Sequence, residues 1–182
     1  MKQIVDSGSP STKLVLGLGT YGRTFTLVNA ANHDVLAPAK EAGVAGRATK
    51  EKGFLAYYEI CDMLNKGGTR VYNEDQQVPY AYWGDQWVGY DDTQSLKVKV
   101  SYRSFSYIRI VNSLHYIRLE IDILYPKDSI YICQVDFIKE MKLGGGMFWA
   151  LDLDDFKGKH CGQGKYPLIT FVSESLKGKS PK

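Results

Sequence analysis

The amino-acid sequence predicts an α/β chain in which a small antiparallel α+β unit sits between two buried strands. Three observations carry the prediction. Lys13-Leu14-Val15-Leu16-Gly17-Leu18 and Met147-Phe148-Trp149-Ala150-Leu151 are short continuous apolar runs, the pattern of strands buried on both faces of a parallel sheet. Between them, Thr69 to Tyr72, Val78 to Trp83 and Gln86 to Tyr90 are short strand-like runs separated by turn residues. Helical periodicity appears at Leu55 to Leu64 and again at Tyr166 to Leu176.

Taken in order, Lys2 to Thr12 is polar and ends in Gly8-Ser9-Pro10-Ser11, a loop signal. The first apolar run follows, and Thr24 to Val28 alternates as a second strand. Asn29 to Lys52, rich in Ala, Gly, Asn and Lys, reads as loop. Gly67-Gly68 stops the helix that starts at Leu55. Trp83-Gly84-Asp85-Gln86 reads as a hairpin turn, so Thr24 to Val88 forms the α+β unit. Asp91-Asp92-Thr93 offers N-cap chemistry for a helix over Thr93 to Lys99. Asp136 to Lys142 resumes a helical pattern, and Gly144-Gly145-Gly146 precedes the second apolar run. Ser101 to Gln134 has a different character: it contains no Gly, Ala or Thr and is dominated by Ile, Tyr and Ser. There is no internal repeat.

Composition excludes several classes. The chain has 182 residues and is 44% hydrophobic, enough to build a core. That length is short for a complete (β/α)₈ barrel, which takes about 250 residues. With 23 Lys+Arg against 20 Asp+Glu, the net charge of +3 is too mild to argue for nucleic acid or an anionic membrane. No apolar run approaches the roughly 18 residues of a membrane span. Met1 to Asp6 lacks the apolar stretch of a signal peptide and, taken literally, means a cytosolic chain. The three cysteines, Cys61, Cys133 and Cys161, leave at least one unpaired. The 13 Tyr, 7 Phe and 3 Trp suit stacking surfaces as well as cores.

Gly17-Leu18-Gly19-Thr20-Tyr21-Gly22 fits G-x-G-x-x-G after a strand, but a dinucleotide site needs a helix to start there. Arg23-Thr24-Phe25-Thr26-Leu27 is β-like instead, which favours a tight turn. Tyr21 and Arg23, two apart in an extended segment, project to one side. A phenol and a guanidinium suit sugar hydroxyls and N-acetyl carbonyls; a surface Arg beside a core Tyr fits equally. Trp149 reads either as a platform for a pyranose ring or as a core residue. Asp152, Asp154 and Asp155 read as general acids, metal ligands or helix caps, with capping favoured because no His partners them. His160-Cys161 lacks a second Cys/His pair at zinc spacing. His33 and His115 are isolated and read as solvated. No Gly-x-Ser-x-Gly elbow occurs.

From Lys13-Leu-Val-Leu-Gly-Leu-Gly-Thr-Tyr-Gly-Arg-Thr-Phe25 the chain resembles family 18 glycoside hydrolases, the animal chitinases and chitinase-like lectins. Further blocks follow in family order. They are Thr49-Lys50-Glu51, Leu55-Ala-Tyr-Tyr-Glu-Ile-Cys61, Val78-Pro-Tyr-Ala-Tyr-Trp-Gly-Asp-Gln-Trp-Val-Gly-Tyr-Asp-Asp92, Leu143-Gly-Gly-Gly-Met-Phe-Trp-Ala-Leu-Asp-Leu-Asp-Asp155 and Cys161-Gly-Gln-Gly-Lys-Tyr-Pro-Leu168. The resemblance implies part of a (β/α)₈ TIM barrel, namely strands seven and eight with helices seven and eight, plus an α+β chitinase insertion domain. Residues 1–23 would be the strand-seven region, 24–90 the insertion domain, 91–177 helix seven, strand eight and helix eight, and 178–182 a tail. Strands one to six would be absent, making this a C-terminal piece of the family fold.

The family's catalytic motif, D-x-x-D-x-D-x-E on strand four, matches nothing in this chain. In the family its Glu protonates the glycosidic oxygen while the substrate's N-acetyl oxygen attacks the anomeric carbon. The chain is therefore expected to be inactive by itself. The resemblance assigns substrate contacts to Tyr21, Arg23 and Glu51, a platform under the sugar to Trp149, and Met147 to the site lining. It implies chitin or chito-oligosaccharides as partner, with no cofactor, metal, nucleic acid or membrane, and a secreted, monomeric parent protein. That parent is either a chitinase or a non-catalytic lectin. A short interaction module in its own right is a third reading. The resemblance also implies a disulfide between Cys61 and Cys161.

Two departures from the family stand out. Gly19 replaces the usual Pro, loosening the turn that aims Tyr21 by roughly 0.4–1 kcal/mol. The second is Val100 to Gln134. Joining Lys99 to Val135 restores a clean family helix seven, Val-Ser can be encoded as a splice donor, and Ile-Cys-Gln as an acceptor. This predicts a retained in-frame intron, with a lineage-specific hairpin arm as rival. The odd Cys133 lies inside it, so its removal restores an even cysteine count.

Overall fold

The computed structural model describes residues 1–100 and 137–177. Most of the segment 100–134, with His115 and Cys133, and the tail 178–182 lie outside the described residues. Helix α1 (Lys2–Asp6) and a 3₁₀ turn (Ser11–Lys13) lead into β1 (Val15–Gly19) and β2 (Tyr21–Leu27). Strands β3 (Ala39–Ala42) and β4 (Phe54–Ala56) precede helix α2 (Tyr57–Asn65). Then come β5 (Thr69–Asn73), β6 (Val78–Trp83) and β7 (Gln86–Gly89). Helices α3 (Thr93–Val100) and α4 (Phe137–Glu140), strand β8 (Gly145–Trp149), a second 3₁₀ turn (Leu151–Leu153) and α5 (Pro167–Leu176) complete the order.

Two sheets result. β1 and β8 pair in parallel, with Gly17 opposite Met147 and Gly19 opposite Trp149. The other six strands form a sheet of order β3-β2-β7-β6-β5, with β4 also on β2, and its strands pair antiparallel. The two-residue turn Gly84-Asp85 joins β6 to β7 as expected, with Gly84 at φ 60°.

β2 is the spine of this sheet. Tyr21, Arg23 and Phe25 alternate outward with Gly22, Thr24 and Thr26, which are buried; the alternation ends at the buried Leu27, where the register shifts. Gly22 lies where a Cβ would overlap Val88 and Ile60, so its bare backbone lets the helix approach. One apolar cluster, with Leu18, Ile60, Val88, Leu96, Ile138 and Leu168 among its members, runs continuously beneath both sheets.

Asp92 caps α3 as the sequence suggested. Its carboxylate accepts from the Ser95 N–H at 3.0 Å, and the Ser95 hydroxyl accepts from the Asp92 N–H at 3.0 Å. This is a reciprocal capping box. Arg70 on β5 also donates to Asp92, at 2.6 Å, tying the antiparallel sheet to the helix.

Four expectations change. Strands β1 and β8 are not buried on both faces: Leu16, Leu18 and Phe148 pack inward, whereas Val15, Met147 and Trp149 are exposed. Among the described residues the helices cover one face of this two-stranded sheet and nothing covers the other. The Asn29 to Lys52 loop contains β3, whose Ala-Lys-Glu-Ala sequence shows no alternation. All four of its residues are exposed, and backbone pairing to β2 holds the strand in place. The polar start holds the short α1, ended at Gly8 with φ 97°. The helix expected from Leu55 starts at Tyr57, because Phe54 to Ala56 pairs with β2.

Candidate functional site

The site is built where β1 gives way to β2 beside the end of β8. On β8, Met147 and Trp149 share a face by the two-residue period of a strand. Trp149 is 66% exposed and Met147 44% exposed. Their partners across the ladder are Gly17 and Gly19, which raise no side chain against the indole. Trp149 is therefore not a core residue among the described residues; its indole is open. The Trp149–Ala150 peptide bond is cis.

Thr20, completely buried, joins β1 to β2. Its N–H donates to the Trp149 carbonyl at 3.1 Å and its hydroxyl to the Ala150 carbonyl at 2.6 Å. The G-x-G-x-x-G stretch thus runs strand–bend–strand. No helix starts there, so the nucleotide reading fails on its own criterion.

Tyr21 and Arg23 do project to one side of β2. The Tyr21 ring stacks on Phe54 of β4 with centroids 4.8 Å apart. The Arg23 guanidinium lies 5.5 Å from the Tyr21 ring centre and 5.4 Å from that of Phe54. This cation–π contact aims a guanidinium that stays exposed. A Cβ on Gly19 would come within 3.3 Å of the Tyr21 ring, so the ring lies close over that residue. Gly19 is therefore extended backbone under Tyr21, and no left-handed turn requires it. Glu51 is exposed on the turn before β4.

Sequence reasoning missed Phe54 and Glu59. Glu59, buried on α2, accepts from the backbone N–H groups of Ala48 at 2.7 Å, Thr49 at 3.3 Å and Ala56 at 3.1 Å. The Thr49 hydroxyl donates to it at 2.8 Å. The carboxylate thereby fixes the loop that presents Glu51. Its signal in the sequence was an acid inside an apolar helical stretch, which requires a partner.

A cleft of about 360 Å³ opens beside Tyr21 and Arg23, lined also by Tyr80, Trp87, Gly89 and Asn73. Trp87 stacks on Tyr80 at 5.4 Å and tilts against Phe25 at 6.1 Å. Its indole N–H donates to the His33 carbonyl at 3.1 Å. His33 is not a free solvated side chain: its ring stacks on Tyr82 at 3.7 Å.

Two of the acids after β8, Asp154 and Asp155, are structural. Asp154 is completely buried and accepts from the N–H of Asp155 at 2.8 Å and of Ile169, in the first turn of α5, at 3.1 Å. Burial raises its carboxyl above the ordinary aspartate value, outweighing these hydrogen bonds. Burial also acts to raise Asp155, but N–H groups of Cys161, His160, Lys159 and Gly158 together hold it below that value. Asp152 is exposed. Among the described residues no group of three His, Cys, Asp or Glu is placed to hold a metal ion. No helix described is long and apolar enough to cross a membrane.

Cys61 and Cys161 form a disulfide, joining α2 to the loop after β8. Beside it, His160 Nδ1 lies 2.8 Å from Asp62 Oδ1.

The described chain is thus an α/β protein whose parallel strands present an open tryptophan next to a Tyr–Arg pair on an antiparallel sheet. It belongs to the glycosyl hydrolases family 18, whose family model matches residues 1–109. It is 42% identical over 172 residues to human chitinase-3-like protein 2 and 40% identical over 172 residues to mouse chitotriosidase-1. Those alignments cover 94% of this chain but 35% and 29% of the relatives, so the chain spans about a third of their length. Among solved structures it is similar to human YKL-39, described as a pseudo-chitinase with retained chitooligosaccharide binding properties. The identity is 41% and the TM-score 0.74, over 97% of this chain and 38% of that one. Catalytic domain 2 of the Ostrinia furnacalis Group II chitinase matches with TM-score 0.76 and 33% identity, over 100% and 39% of the two chains.

Proposed function

We propose that this chain supplies one wall of a cleft for chitin-type β-1,4-N-acetylglucosamine oligomers and does not hydrolyse them by itself. The observation that carries the reading is the exposed Trp149 indole, set opposite Gly19 and two residues from the start of the Tyr21–Arg23 pair. Trp149 is the stacking platform, and Met147 lines the site beside it. Tyr21, Arg23 and Glu51 are the polar contacts. An indole face covers the apolar face of a pyranose, and the guanidinium and phenol donate to its oxygens.

In this reading β1 and β8 are barrel strands seven and eight, residues 24–90 are the insertion domain, and the uncovered face of the β1–β8 pair is the barrel interior. The disulfide fits a secreted protein. Hydrolysis needs the acid of D-x-x-D-x-D-x-E, which this sequence does not contain. The whole protein is a chitinase if that Glu is encoded with it and a lectin if another residue stands there.

Retention on chitin beads tests the reading. The chain is expected to be retained and the Tyr21→Ala/Trp149→Ala variant to flow through. Equal behaviour of the two would overturn binding at this site. Turnover of chito-oligosaccharides by the chain above that of the double variant would overturn its inactivity.

A further inference from the structure

We propose that the sugar groove continues past Arg23 onto the antiparallel sheet, where Trp87 forms a second stacking subsite. This rests on the reading of Trp149, Tyr21 and Arg23 as a chito-oligosaccharide site and extends it.

The pairing register places the parts. Arg23, Gly89 and Tyr80 stand side by side across β2, β7 and β6, and Phe25, Trp87 and Tyr82 form the next row. All six lie on the sheet face away from α2. Gly89 leaves a gap between Arg23 and Tyr80, and the Trp87 ring reaches into it, within 3.1 Å of where a Cβ would stand. The indole therefore lies along the sheet and floors the cleft rather than standing out from it. Tyr80 and Phe25 brace it from two sides, and its N–H is already satisfied by the His33 carbonyl. What remains for a ligand is an apolar ring surface.

The cleft's other groups are polar where a sugar is polar. Arg23 stands on one side, exposed, and Asn73 closes the end at the β5–β6 turn. The Asn73 side-chain oxygen is used by the Gln76 N–H at 2.7 Å, so its amide N–H₂ is the group left to donate. A volume of about 360 Å³ with an aromatic floor and a few convergent polar groups is the form of a small-ligand site. The cleft is continuous with the first site because Tyr21 and Arg23 line both. From Gly19, opposite Trp149, to Arg23 is four residues, at most about 13 Å of strand. Trp149 lies on the parallel sheet, and Trp87 lies one row beyond Arg23 on the antiparallel sheet, so in this proposal the two indoles serve different sugars of one oligomer. A disaccharide is held at Trp149 alone, and a longer oligomer reaches Trp87.

Fluorine NMR of the 182-residue chain labelled with 5-fluorotryptophan tests this. The three tryptophan signals are assigned by single Trp→Phe variants. Di-N-acetylchitobiose is expected to move the Trp149 signal only, and hexa-N-acetylchitohexaose to move those of Trp149 and Trp87, with Trp83 still. If the hexamer moves Trp149 and leaves Trp87 unmoved, the second subsite is wrong and the first site stands. If neither moves, both are wrong. In parallel, Trp87→Leu is expected to weaken hexamer binding about tenfold and leave dimer binding unchanged. An equal loss for both lengths, or no loss, would overturn the proposal. Should that variant fail to fold, Asn73→Ala, at the open turn, reads the same length dependence.

Discussion

Thr20 holds Trp149 in place from the neighbouring strand, its N–H on the Trp149 carbonyl and its hydroxyl on the carbonyl of Ala150. The residue bonded to the Trp149 backbone is thus the one that turns the chain toward Tyr21. Thr20→Val keeps the shape and deletes the hydroxyl, leaving a carbonyl without that donor. The expected cost is about 1–3 kcal/mol in urea unfolding, with weakened oligosaccharide binding. Thr20→Ser is expected to restore most of both. Wild-type stability in the valine variant would show that the hydroxyl contact carries little.

Glu59 is expected to be the most costly acid to alter. It gathers three backbone N–H groups and one hydroxyl into a buried carboxylate. Glu59→Gln offers one acceptor oxygen where two are used, and turns an amide N–H₂ toward donors. A loss of roughly 3 kcal/mol is expected. Because the loop it anchors carries Lys50 and Lys52, limited trypsin digestion should cut there first. Unchanged cleavage would assign the loop's order to other contacts.

The Cys61–Cys161 disulfide closes a loop with a sequence separation of 100 residues. Replacing both cysteines by Ala is expected to cost about 2–4 kcal/mol. The loss should fall on the junction between α2 and the loop after β8, where Asn65 also donates to the His160 carbonyl at 2.8 Å. Hydrogen exchange localises it. Uniform loss of protection through the antiparallel sheet would instead mean that the bridge governs the whole fold.

Much of this arrangement was legible in the sequence, and the failures have physical causes. Alternation and turn chemistry located β5, β6 and β7 within a residue or so. Asp92 was readable as a cap because an acid preceded a helical run. The Tyr21 and Arg23 face followed from strand periodicity alone. β3 was not readable, because an exposed edge strand held mainly by backbone pairing to β2 needs no alternating side-chain pattern. The burial of β1 and β8 was overestimated because an apolar run cannot report whether both faces are covered. Trp149 stayed ambiguous for the same reason. Phe54 and Glu59 escaped because their roles depend on a partner in another element.

Acid stability should report Asp155. Its folded carboxyl is held below the ordinary aspartate value, burial notwithstanding, by the N–H groups of the loop that carries Cys161. A depressed carboxyl contributes stability above its unfolded value and loses it as pH falls through the folded one. Asp154 has the opposite sign: its raised carboxyl costs least when protonated, so its contribution improves as pH falls. Asp155→Asn is therefore expected to lower stability at neutral pH and flatten the acid limb, whereas Asp154→Asn should steepen it. Unfolding free energies measured from neutral pH down into the acid range decide. Parallel curves for wild type and Asp155→Asn would remove the assignment.

Deleting residues 100–134 is expected to leave the fold intact. In the described structure α3 ends at Val100, α4 starts at Phe137, and the two helices touch. Leu96 on α3 is completely buried and Ile138 on α4 is 3% exposed, both in the same apolar cluster. Joining Lys99 directly to Val135 places Leu96 and Ile138 seven residues apart, on one face of a single helix. The shortened chain also keeps Cys61 and Cys161 and discards Cys133. It is expected to show more helix by circular dichroism, no free thiol, and a thermal midpoint at or above that of the full chain. Transcript sequencing across codons 99 to 135 gives an independent measure, with the short form expected in mature message. A shortened chain that unfolds, together with only the long transcript, would make the segment a true part of the protein.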